Sequence, residues 1–580
     1  MKTDLKLAYF YITASALLFC VLFIASTAGW QEFDFSNING LVPDKGDQSQ
    51  HQLGWEAYRN SPWYFPLGFM DQLSYPIKVS VTFTDSLPLL AVFFKALSPL
   101  LPESFQYFTL WFMMCFALQA LCAAHILKDY TDNRFALIVA SLFFAASPVM
   151  LRRVHWHNAL AGQWLILFML APLFGCRNYL RGSKLCIRAA AAGMLASMVH
   201  PYFDMFCGLI VLAISGLCIY YGEFKKSAAV LGVYLVSALL PHYLLGGLDP
   251  RMVLVIGSGS NALDSSMNLN ALFNSMAFSK FVPPLPVYSN YQNDGFAYLG
   301  LGGFILAASF LTVLISRFSA LKEALKRQLP VITALGILSA LSLIMALSPQ
   351  ITFGRHLLLQ YTLPEPVMAV WAICKSAGRS VWLFIYILML SSFILLFKGI
   401  GKKWLLNALT GIILAVQLYE LPNFFLNNLT YNLKPRRTFL ADEYLWDKIA
   451  DSREIKHIVC TLPFTYTDNN ILYSLADLAL SSHKTLNCFF FARELKQDIY
   501  LQNISEAMED LSEDELFVFF EENKEECLKY PLKYYFTGQF IIGCLRPPEG
   551  CPPLTDQELR EIIKDGNLSL IPARYFSAAP

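Results

Sequence analysis

A polar segment early in the chain carries the first residues that could perform acid–base chemistry. Asp47 and His51 are four residues apart, and Asp85 follows within Thr84-Asp85-Ser86. If a helix begins at Asp47, this residue and His51 share one helical face, where a carboxylate and an imidazole can serve one site. The alternative is that Asp47 only caps that helix. We take Asp47, His51 and Asp85 as candidate catalytic residues.

A second chemically notable run is basic. Residues 152–158 read Arg-Arg-Val-His-Trp-His-Asn. Guanidinium groups form bidentate hydrogen bonds to phosphate, so Arg152 and Arg153 indicate an anion site, with simple contact to lipid headgroups as the alternative. His155 and His157 are two residues apart, a spacing that fits neither one helical face nor a strong metal motif. We therefore expect these histidines to form hydrogen bonds and predict no metal cofactor, with a divalent ion left open.

Three further segments place polar residues beside apolar runs. They are His200-Pro201-Tyr202-Phe203-Asp204, the stretch 291–300 that includes Tyr291 and Asp294, and Lys375-Ser376-Ala377-Gly378-Arg379. Ionisable residues at membrane depth are costly and are usually functional. The candidate substrate-binding residues are therefore Arg152, Arg153, His155, His157, His200, Tyr291 and Arg379.

The composition indicates that lipid, rather than water, surrounds most of the chain. The 580 residues are 56% hydrophobic and only 15% charged, and the mean hydropathy is +0.45, outside the range of an ordinary soluble domain. A net charge of +1 gives no indication of a nucleic-acid partner. No Cys-x-x-Cys spacing occurs, which argues against a zinc or iron–sulfur site. Cys544 and Cys551 could pair in an oxidising compartment.

Apolar runs long enough to cross a bilayer must position the polar segments. A spanning helix needs about 20 mostly apolar residues. Eleven runs meet or approach that length, at 7–29, 105–126, 135–150, 158–176, 186–199, 203–221, 227–246, 297–316, 330–348, 380–398 and 403–421. The run 87–101 is shorter, and we place it at the membrane interface. The sequence therefore predicts a polytopic α-helical membrane protein with about 11 transmembrane helices and interfacial helices.

Basic loops orient these spans. If the N-terminus is cytoplasmic, every short inner loop contains Lys or Arg, as in 177–188, 225–226 and 317–327. The outer side then receives the long connections 30–104, 247–296 and 349–379, as well as everything after the last span. Residues 431–580 are more charged and have β-like stretches at 455–462 and 534–544. They predict a small soluble α/β domain on the outer side of a transmembrane domain, residues 1–430.

These features together resemble a known superfamily. A cytoplasmic N-terminus, a long first outer loop with an early acidic residue, interfacial helices and an outer C-terminal domain resemble the GT-C superfamily of polyprenyl-phosphate-sugar-dependent glycosyltransferases. More narrowly, most of the chain resembles the bacterial DUF6311 family. The motifs that carry this narrower resemblance are Gly46-Asp47 with Gln50-His51, Asn60-Ser61-Pro62-Trp63, Thr84-Asp85-Ser86 and Ser376-Ala377-Gly378-Arg379.

The resemblance implies roles for specific residues and a bacterial inner-membrane location. In GT-C enzymes an acidic residue of the first outer loop orients or deprotonates the acceptor; by position this is Asp47, with Asp44 as runner-up. Basic residues at the outer boundary hold the lipid-linked phosphate, which implicates Arg152, Arg153 and Arg379. The first loop has neither the adjacent Asp-Glu pair of protein mannosyltransferases nor the Trp-Trp-Asp motif of oligosaccharyltransferases, so the resemblance does not identify the acceptor.

Three hypotheses follow. The first is a membrane glycosyltransferase that moves a sugar from a polyprenyl-phosphate-linked donor in the lipid bilayer to a cell-envelope glycan, lipid or protein. The second is a transporter or flippase of a lipid-linked or anionic substrate, although no charged residue is centred in a predicted span and no inverted repeat is evident. The third is a non-enzymatic envelope assembly factor whose C-terminal domain binds a partner.

Overall fold

The computed structural model describes residues 2–38, 47–154, 156–175, 182, 184–253, 263–373, 375–421, 440–463 and 469–564. Contacts divide the chain into two compact units. Unit 1 comprises residues 1–40, 104–242 and 255–433, and unit 2 comprises residues 41–103, 243–254 and 434–580. The predicted domain boundary at residue 430 lies outside the described residues.

Helices dominate the described part of the chain. They are α1 Lys2–Thr27, α2 Asp47–Asn60, α3 Pro88–Ala96, α4 Phe108–Leu127, α5 Arg134–Ala145, α6 Pro148–Val154, α7 Trp164–Phe174, α8 Lys184–Val199, α9 Pro201–Tyr220, α10 Phe224–Leu245, α11 Leu301–Ser316, α12 Phe318–Arg327, α13 Leu329–Leu347, α14 Glu365–Ile373, α15 Val381–Gly399, α16 Lys403–Glu420, α17 Glu443–Asp451, α18 Asn469–Ser481, α19 Gln497–Glu509 and α20 Asp556–Lys564. The strands are β1 Phe69–Met70, β2 Val79–Ser80, β3 Gln350–Phe353, β4 His356–Gln360, β5 His457–Cys460, β6 Thr485–Leu486, β7 Glu515–Phe519, β8 Lys533–Phe536 and β9 Ile541–Cys544.

Several of these helices suit a bilayer. Within the described residues, six are long and apolar enough to cross a membrane, and two bent pairs, α5 with α6 and α11 with α12, raise the number to eight if each pair is one span. This supports a multi-pass membrane protein. Each of the eleven predicted runs contains a helix, and the crossing of all eleven stays a prediction. The run 87–101 holds only the nine-residue α3 and a short 3₁₀ turn, too short to span.

Helix α15 lies at the centre of unit 1. Its residues Trp382, Tyr386, Leu390 and Phe393 are all buried, and their spacing of three or four places them along one face. The Tyr386 hydroxyl donates a hydrogen bond to Oε1 of Gln163, and the Phe393 ring meets Phe143 edge-on at 5.5 Å. This packing holds α15, which begins directly after the short turn that contains Arg379.

A buried carboxylate fixes the start of α11. Glu420, at the end of α16, accepts a hydrogen bond of 2.6 Å from the Leu301 backbone N–H and another from the Tyr298 hydroxyl. A negative charge at a helix N-terminus is stabilised by the free N–H groups and the helix dipole. The contact anchors the segment that leads from Asp294 into the helix.

Unit 2 contains a five-stranded sheet in the order β6-β5-β7-β9-β8. Strands β5, β6 and β7 are parallel, whereas β9 runs antiparallel to both β7 and β8. Strand β7 is buried from Leu516 to Phe519, as expected for a strand covered on both faces. The β-like stretches predicted at 455–462 and 534–544 are confirmed. Cys544 and Cys551 are free thiols, so the pairing considered from the sequence does not form.

Part of the long first loop completes the β6 edge of this sheet. The Leu486 N–H donates to the Gln72 carbonyl (2.7 Å), and the Tyr75 N–H donates to the Leu486 carbonyl (3.1 Å). The ring of Tyr75 also stacks on His457 at 3.9 Å. Exposed sheet edges invite pairing with other chains, and these contacts close this edge within unit 2.

Candidate functional site

Arginine side chains gather around one carboxylate in unit 1, and two of them contact it directly. Arg153 lies 3.2 Å from Oδ1 of Asp294 through Nη1, and its Nη2 donates to the Asp294 carbonyl at 3.2 Å. Arg379 approaches the same Oδ1 with Nη2 at 2.8 Å and Nε at 3.3 Å. The Ser376 hydroxyl donates to Oδ2 at 2.6 Å. Asp294 therefore joins the basic run to the Ser376–Arg379 motif.

Two tight turns bring these residues together. Asp294 lies in the 3₁₀ turn Asn290–Gly295 and Arg379 in the 3₁₀ turn Ala377–Ser380. A Cβ at Gly378 would lie 2.5 Å from the Gly295 Cα and 2.7 Å from the Ser265 carbonyl oxygen, closer than packed atoms approach. Gly378 is therefore required for the two turns to contact through their backbones.

Replacing Gly378 with Ala should disrupt this junction. The added methyl group meets backbone atoms, which cannot rotate away, so the two turns must separate. We expect overpacking to lower the free energy of unfolding by about 1–3 kcal/mol, measured as a lower midpoint of thermal unfolding in detergent. Gly336→Ala is the control, because nothing lies within 4 Å of a Cβ there. Equal midpoints for the two variants would contradict the tight junction.

Aromatic rings enclose the arginines. The Arg153 guanidinium lies 5.3 Å from the Trp382 ring, and that of Arg379 lies 5.2 Å from Tyr202. Neighbouring Arg152 lies 4.5 Å from the Phe296 ring. Cation–π contacts of this kind favour a charged guanidinium in a partly desolvated place. All three arginine side chains are thereby held near one another while largely buried.

A second row of polar side chains adjoins the cluster. The Tyr202 hydroxyl accepts a hydrogen bond of 2.7 Å from the Ser376 backbone N–H. The Tyr202 ring stacks on His200 at 5.2 Å, and His200 meets His157 edge-on at the same distance. His200 also caps α9 by accepting the Tyr202 N–H at Nδ1, 3.1 Å away. Two of the three predicted histidines, His157 and His200, thus lie beside Tyr202, which contacts both Ser376 and Arg379.

The charges of the cluster do not cancel. Burial alone would raise the pKa of Asp294, but Arg379, Arg153 and the hydrogen bonds of this carboxylate outweigh burial and hold the pKa well below its usual range. Asp294 is therefore ionised at every physiological pH. One carboxylate faces Arg152, Arg153 and Arg379, and this excess of positive charge suits an anionic ligand.

The acidic candidates belong to unit 2. Asp47 is the first residue of α2, and its carboxylate is close enough to Tyr473 of α18 to add to the effect of burial in raising the pKa of that tyrosine. His51 lies one turn further along α2, fully buried. The Asp85 carboxylate and the His51 ring come within 4.8 Å of each other. Of the predicted catalytic residues, His51 and Asp85 are thus close neighbours.

A close contact of two segments creates this neighbourhood. A Cβ at Gly54 of α2 would lie 2.3 Å from side-chain atoms of Thr84, so only glycine lets the 84–86 turn pack on the helix. The Ser86 hydroxyl donates to the His51 carbonyl at 2.7 Å. Asp85 itself has a left-handed backbone, with φ of 54°, a conformation that Asp tolerates better than most residues.

The burial of His51 predicts a pH-dependent stability. Burial lowers the pKa of His51 to about 3, so the folded imidazole stays neutral where the unfolded chain, with a pKa near 6.5, takes up a proton. The contribution of His51 to the free energy of unfolding is therefore complete above about pH 6.5 and is lost as the pH drops toward 3. The loss is roughly 2 kcal/mol between pH 8 and pH 5. Thermal unfolding across that range should show a smaller loss for His51→Gln, and parallel curves for both proteins would contradict a neutral buried imidazole.

The structure shows which of the predicted binding residues lie close together and which do not. It brings Arg153 and Arg379 together and places Arg152, His157 and His200 beside them. Tyr291 lies on the same turn as Asp294 but is 66% exposed, and no polar contact in the described residues joins its side chain to the cluster. His155, like Asp44, lies outside the described residues. The sequence analysis named Asp294 without giving it a role; the signal in the sequence was an acidic residue shortly before the apolar run 297–316.

Comparison with solved structures gives distant similarities. The archaeal oligosaccharyltransferase AglB from Archaeoglobus fulgidus, in complex with an inhibitory peptide and a dolichol-phosphate, is 10% identical with a TM-score of 0.44, covering 88% of this chain and 69% of that one. The apo form of the oligosaccharyltransferase from the same organism is 11% identical with a TM-score of 0.42. The form tethered to an acceptor peptide is 12% identical with a TM-score of 0.44. These last two alignments each cover 94% of this chain and 75% of the other.

Sequence comparison assigns the family. The apolar helices and the α/β sheet define a membrane-type helical protein with a small sheet-containing C-terminal region. No curated protein sequence matches the chain. The description "Domain of unknown function (DUF6311)" matches residues 16–422, and "DUF6311 C-terminal domain" matches residues 445–545. The chain belongs to the DUF6311 family, as the sequence motifs predicted.

Proposed function

We propose that this protein is a GT-C-type membrane glycosyltransferase that transfers a sugar from a polyprenyl-phosphate-linked donor to a cell-envelope acceptor. The observation that carries the proposal is the cluster of Arg152, Arg153 and Arg379 around Asp294. In this role the cluster holds the phosphate of the lipid-linked sugar at the boundary between bilayer and water.

The chemistry of the transfer explains why such a cluster is useful. When the bond between sugar and phosphate breaks, negative charge develops on the leaving phosphate. Guanidinium groups already in place stabilise that charge without reorganisation. Asp294 holds Arg153 and Arg379 in one orientation, as a positioning residue, and leaves the cluster with excess positive charge.

The position of the cluster fits a substrate that lies in the membrane. Tyr202, Asp294 and Arg379 each lie at or before the first turn of an apolar helix, namely α9, α11 and α15. The far ends of these helices lead to basic segments, which include Lys225, Arg317 and Lys398. Because basic loops favour the cytoplasmic side, we assign the cluster to the outer face of a bacterial inner membrane.

The base that activates the acceptor is proposed among the acidic candidates. His51 is a weak base, since burial lowers its pKa to about 3. A carboxylate is then the better group to accept a proton from an acceptor hydroxyl. We assign this role to Asp47, which resembles the acidic residue of the first loop in GT-C enzymes, and keep Asp85 as the neighbouring carboxylate of His51.

The test uses the full-length protein in nanodiscs. Undecaprenyl phosphate carrying a radiolabelled hexose is added together with envelope material from cells that lack the protein, and label in the acceptor is counted. We expect transfer that depends on the protein, with release of undecaprenyl phosphate. Binding of the lipid without release would overturn the transferase and favour a transporter or flippase; neither binding nor release would favour an assembly factor.

A further inference from the structure

A long groove lies between two apolar helices of unit 1, and none of the three arginines of the cluster lines it. Its cavity of about 1160 Å³ is lined by α9, α13 and the end of α7. On α9 the lining residues Leu209, Leu212, Ala213 and Gly216 follow the three- and four-residue spacing of one helical face. The volume exceeds the roughly 300–1,000 Å³ of common small-molecule pockets, which suits a long, flexible apolar chain.

The groove has the depth of one membrane leaflet. On α13 its lining runs from Leu329 to Leu341, which at about 1.5 Å per residue is roughly 18 Å. Half of the hydrocarbon core of a bilayer is about 15 Å. Leu212, Ile337 and Leu341 on its walls are more than two-fifths exposed, as side chains that face lipid are. An acyl chain from the adjacent leaflet therefore matches both length and polarity.

The mouth of the groove is basic. Its charged lining residues are Lys326 and Arg327, at the end of α12, beside Tyr220 and Tyr221. Helix α12 turns by 95° from α11 and has no buried residue, and an amphipathic helix of this kind lies in the plane of the interface. Lys326 pairs with exposed Glu323 at 3.1 Å, a surface pair that contributes little, so a phosphate can readily compete for it.

We propose that this groove binds an anionic phospholipid of the surrounding leaflet, with the acyl chain between α9 and α13 and the phosphate at Lys326 and Arg327. The charge at the mouth selects an anionic headgroup over a zwitterionic one. Because these basic residues mark the cytoplasmic side, the lipid comes from the inner leaflet. This lipid site is separate from the proposed sugar transfer, and none of the residues assigned to that transfer takes part in it.

Gly216 offers a precise way to close the groove. Gly216 lines the groove, and nothing lies within 4 Å of a Cβ there, so the side chain of a Phe at this position begins in open space and extends into the groove. Gly232 of α10 is equally open but lies outside the groove, so Gly232→Phe is the matched control. A double variant, Lys326→Ala with Arg327→Ala, removes the charge at the mouth through exposed side chains.

Native mass spectrometry of the full-length protein, titrated with phosphatidylglycerol or with phosphatidylcholine of the same acyl chains, tests the proposal. We expect preferential retention of phosphatidylglycerol. The double variant should lose about tenfold in affinity for it, which corresponds to about 1.4 kcal/mol. Gly216→Phe should reduce retention of both lipids and Gly232→Phe should reduce neither.

Equal retention of the two lipids by the unmodified protein would overturn the site. So would unchanged phosphatidylglycerol affinity in the double variant, which stays decisive even if Gly216→Phe does not fold. Binding of undecaprenyl phosphate should persist in the double variant. Failure of the groove and failure of the proposed transfer are therefore separate results.

Discussion

Replacing Arg379 with Gln is expected to weaken the binding of undecaprenyl phosphate about ten- to hundredfold. A hydrogen bond to a charged group contributes roughly 1.5–3 kcal/mol, and each 1.4 kcal/mol is about tenfold in affinity. Arg379 also makes the shorter of the two arginine contacts to Asp294, at 2.8 Å against 3.2 Å for Arg153. Its loss removes one positive charge and leaves Asp294 to neutralise more of Arg153. Titration of the lipid into protein in nanodiscs measures the effect.

Two further variants separate charge from geometry. Arg379→Lys keeps the charge but loses the planar fork of the guanidinium, so an intermediate affinity is expected. Arg317→Gln removes the same charge from an exposed position at the end of α11 and should bind like the unmodified protein. If Arg379→Gln binds the lipid as tightly as Arg317→Gln, the cluster does not hold the phosphate.

The sequence predicted the helices well because a span is a local signal. Each apolar run, such as 105–126, is continuous along the chain, and its length alone requires a helix in a bilayer. The two β-like stretches in the C-terminal region were local signals of the same kind. Helix positions could therefore be assigned without any knowledge of tertiary contacts.

The central carboxylate of the arginine cluster, Asp294, was not predictable in this way. Asp294 contacts Arg153 and Arg379 across 141 and 85 residues of sequence, and no spacing rule connects such positions. The sequence predicted that the polar segments share one side of the membrane, and this prediction placed Arg153 and Arg379 among the same candidates. That a carboxylate lies between them depends on the junction at Gly378, whose close backbone approach only the folded chain reveals.

The pairing of the first loop with the C-terminal sheet could not be predicted from the sequence, for a similar physical reason. Its contacts with β6 are backbone hydrogen bonds, such as Leu486 to Gln72, and backbone groups leave no side-chain pattern. The fold therefore places the polar segment after Asp47 and the late sheet in one unit, although several hundred residues of spans separate them. Asp47 near Tyr473 is one result of that arrangement.

Replacing Asp47 with Asn is expected to abolish sugar transfer while the protein folds and binds undecaprenyl phosphate normally. Asn caps a helix as well as Asp does, so this variant keeps any capping role of the first residue of α2 and removes only the negative charge and the basicity. Loss of a general base typically costs about 10²–10⁴ in rate. The measurement is the initial rate of label transfer, with the thermal midpoint recorded for the same samples.

A matched substitution exists in the same unit. Asp498 lies in the first turn of α19 and is exposed, so Asp498→Asn makes the identical change at a comparable helix position and should leave transfer unchanged. Because Asn preserves the cap, transfer at the full rate in Asp47→Asn would reduce Asp47 to a structural residue. Loss of transfer in Asp85→Asn under that outcome would assign the base to Asp85, because burial makes the neighbouring His51 imidazole a weak base and leaves the carboxylate as the better group to accept the proton.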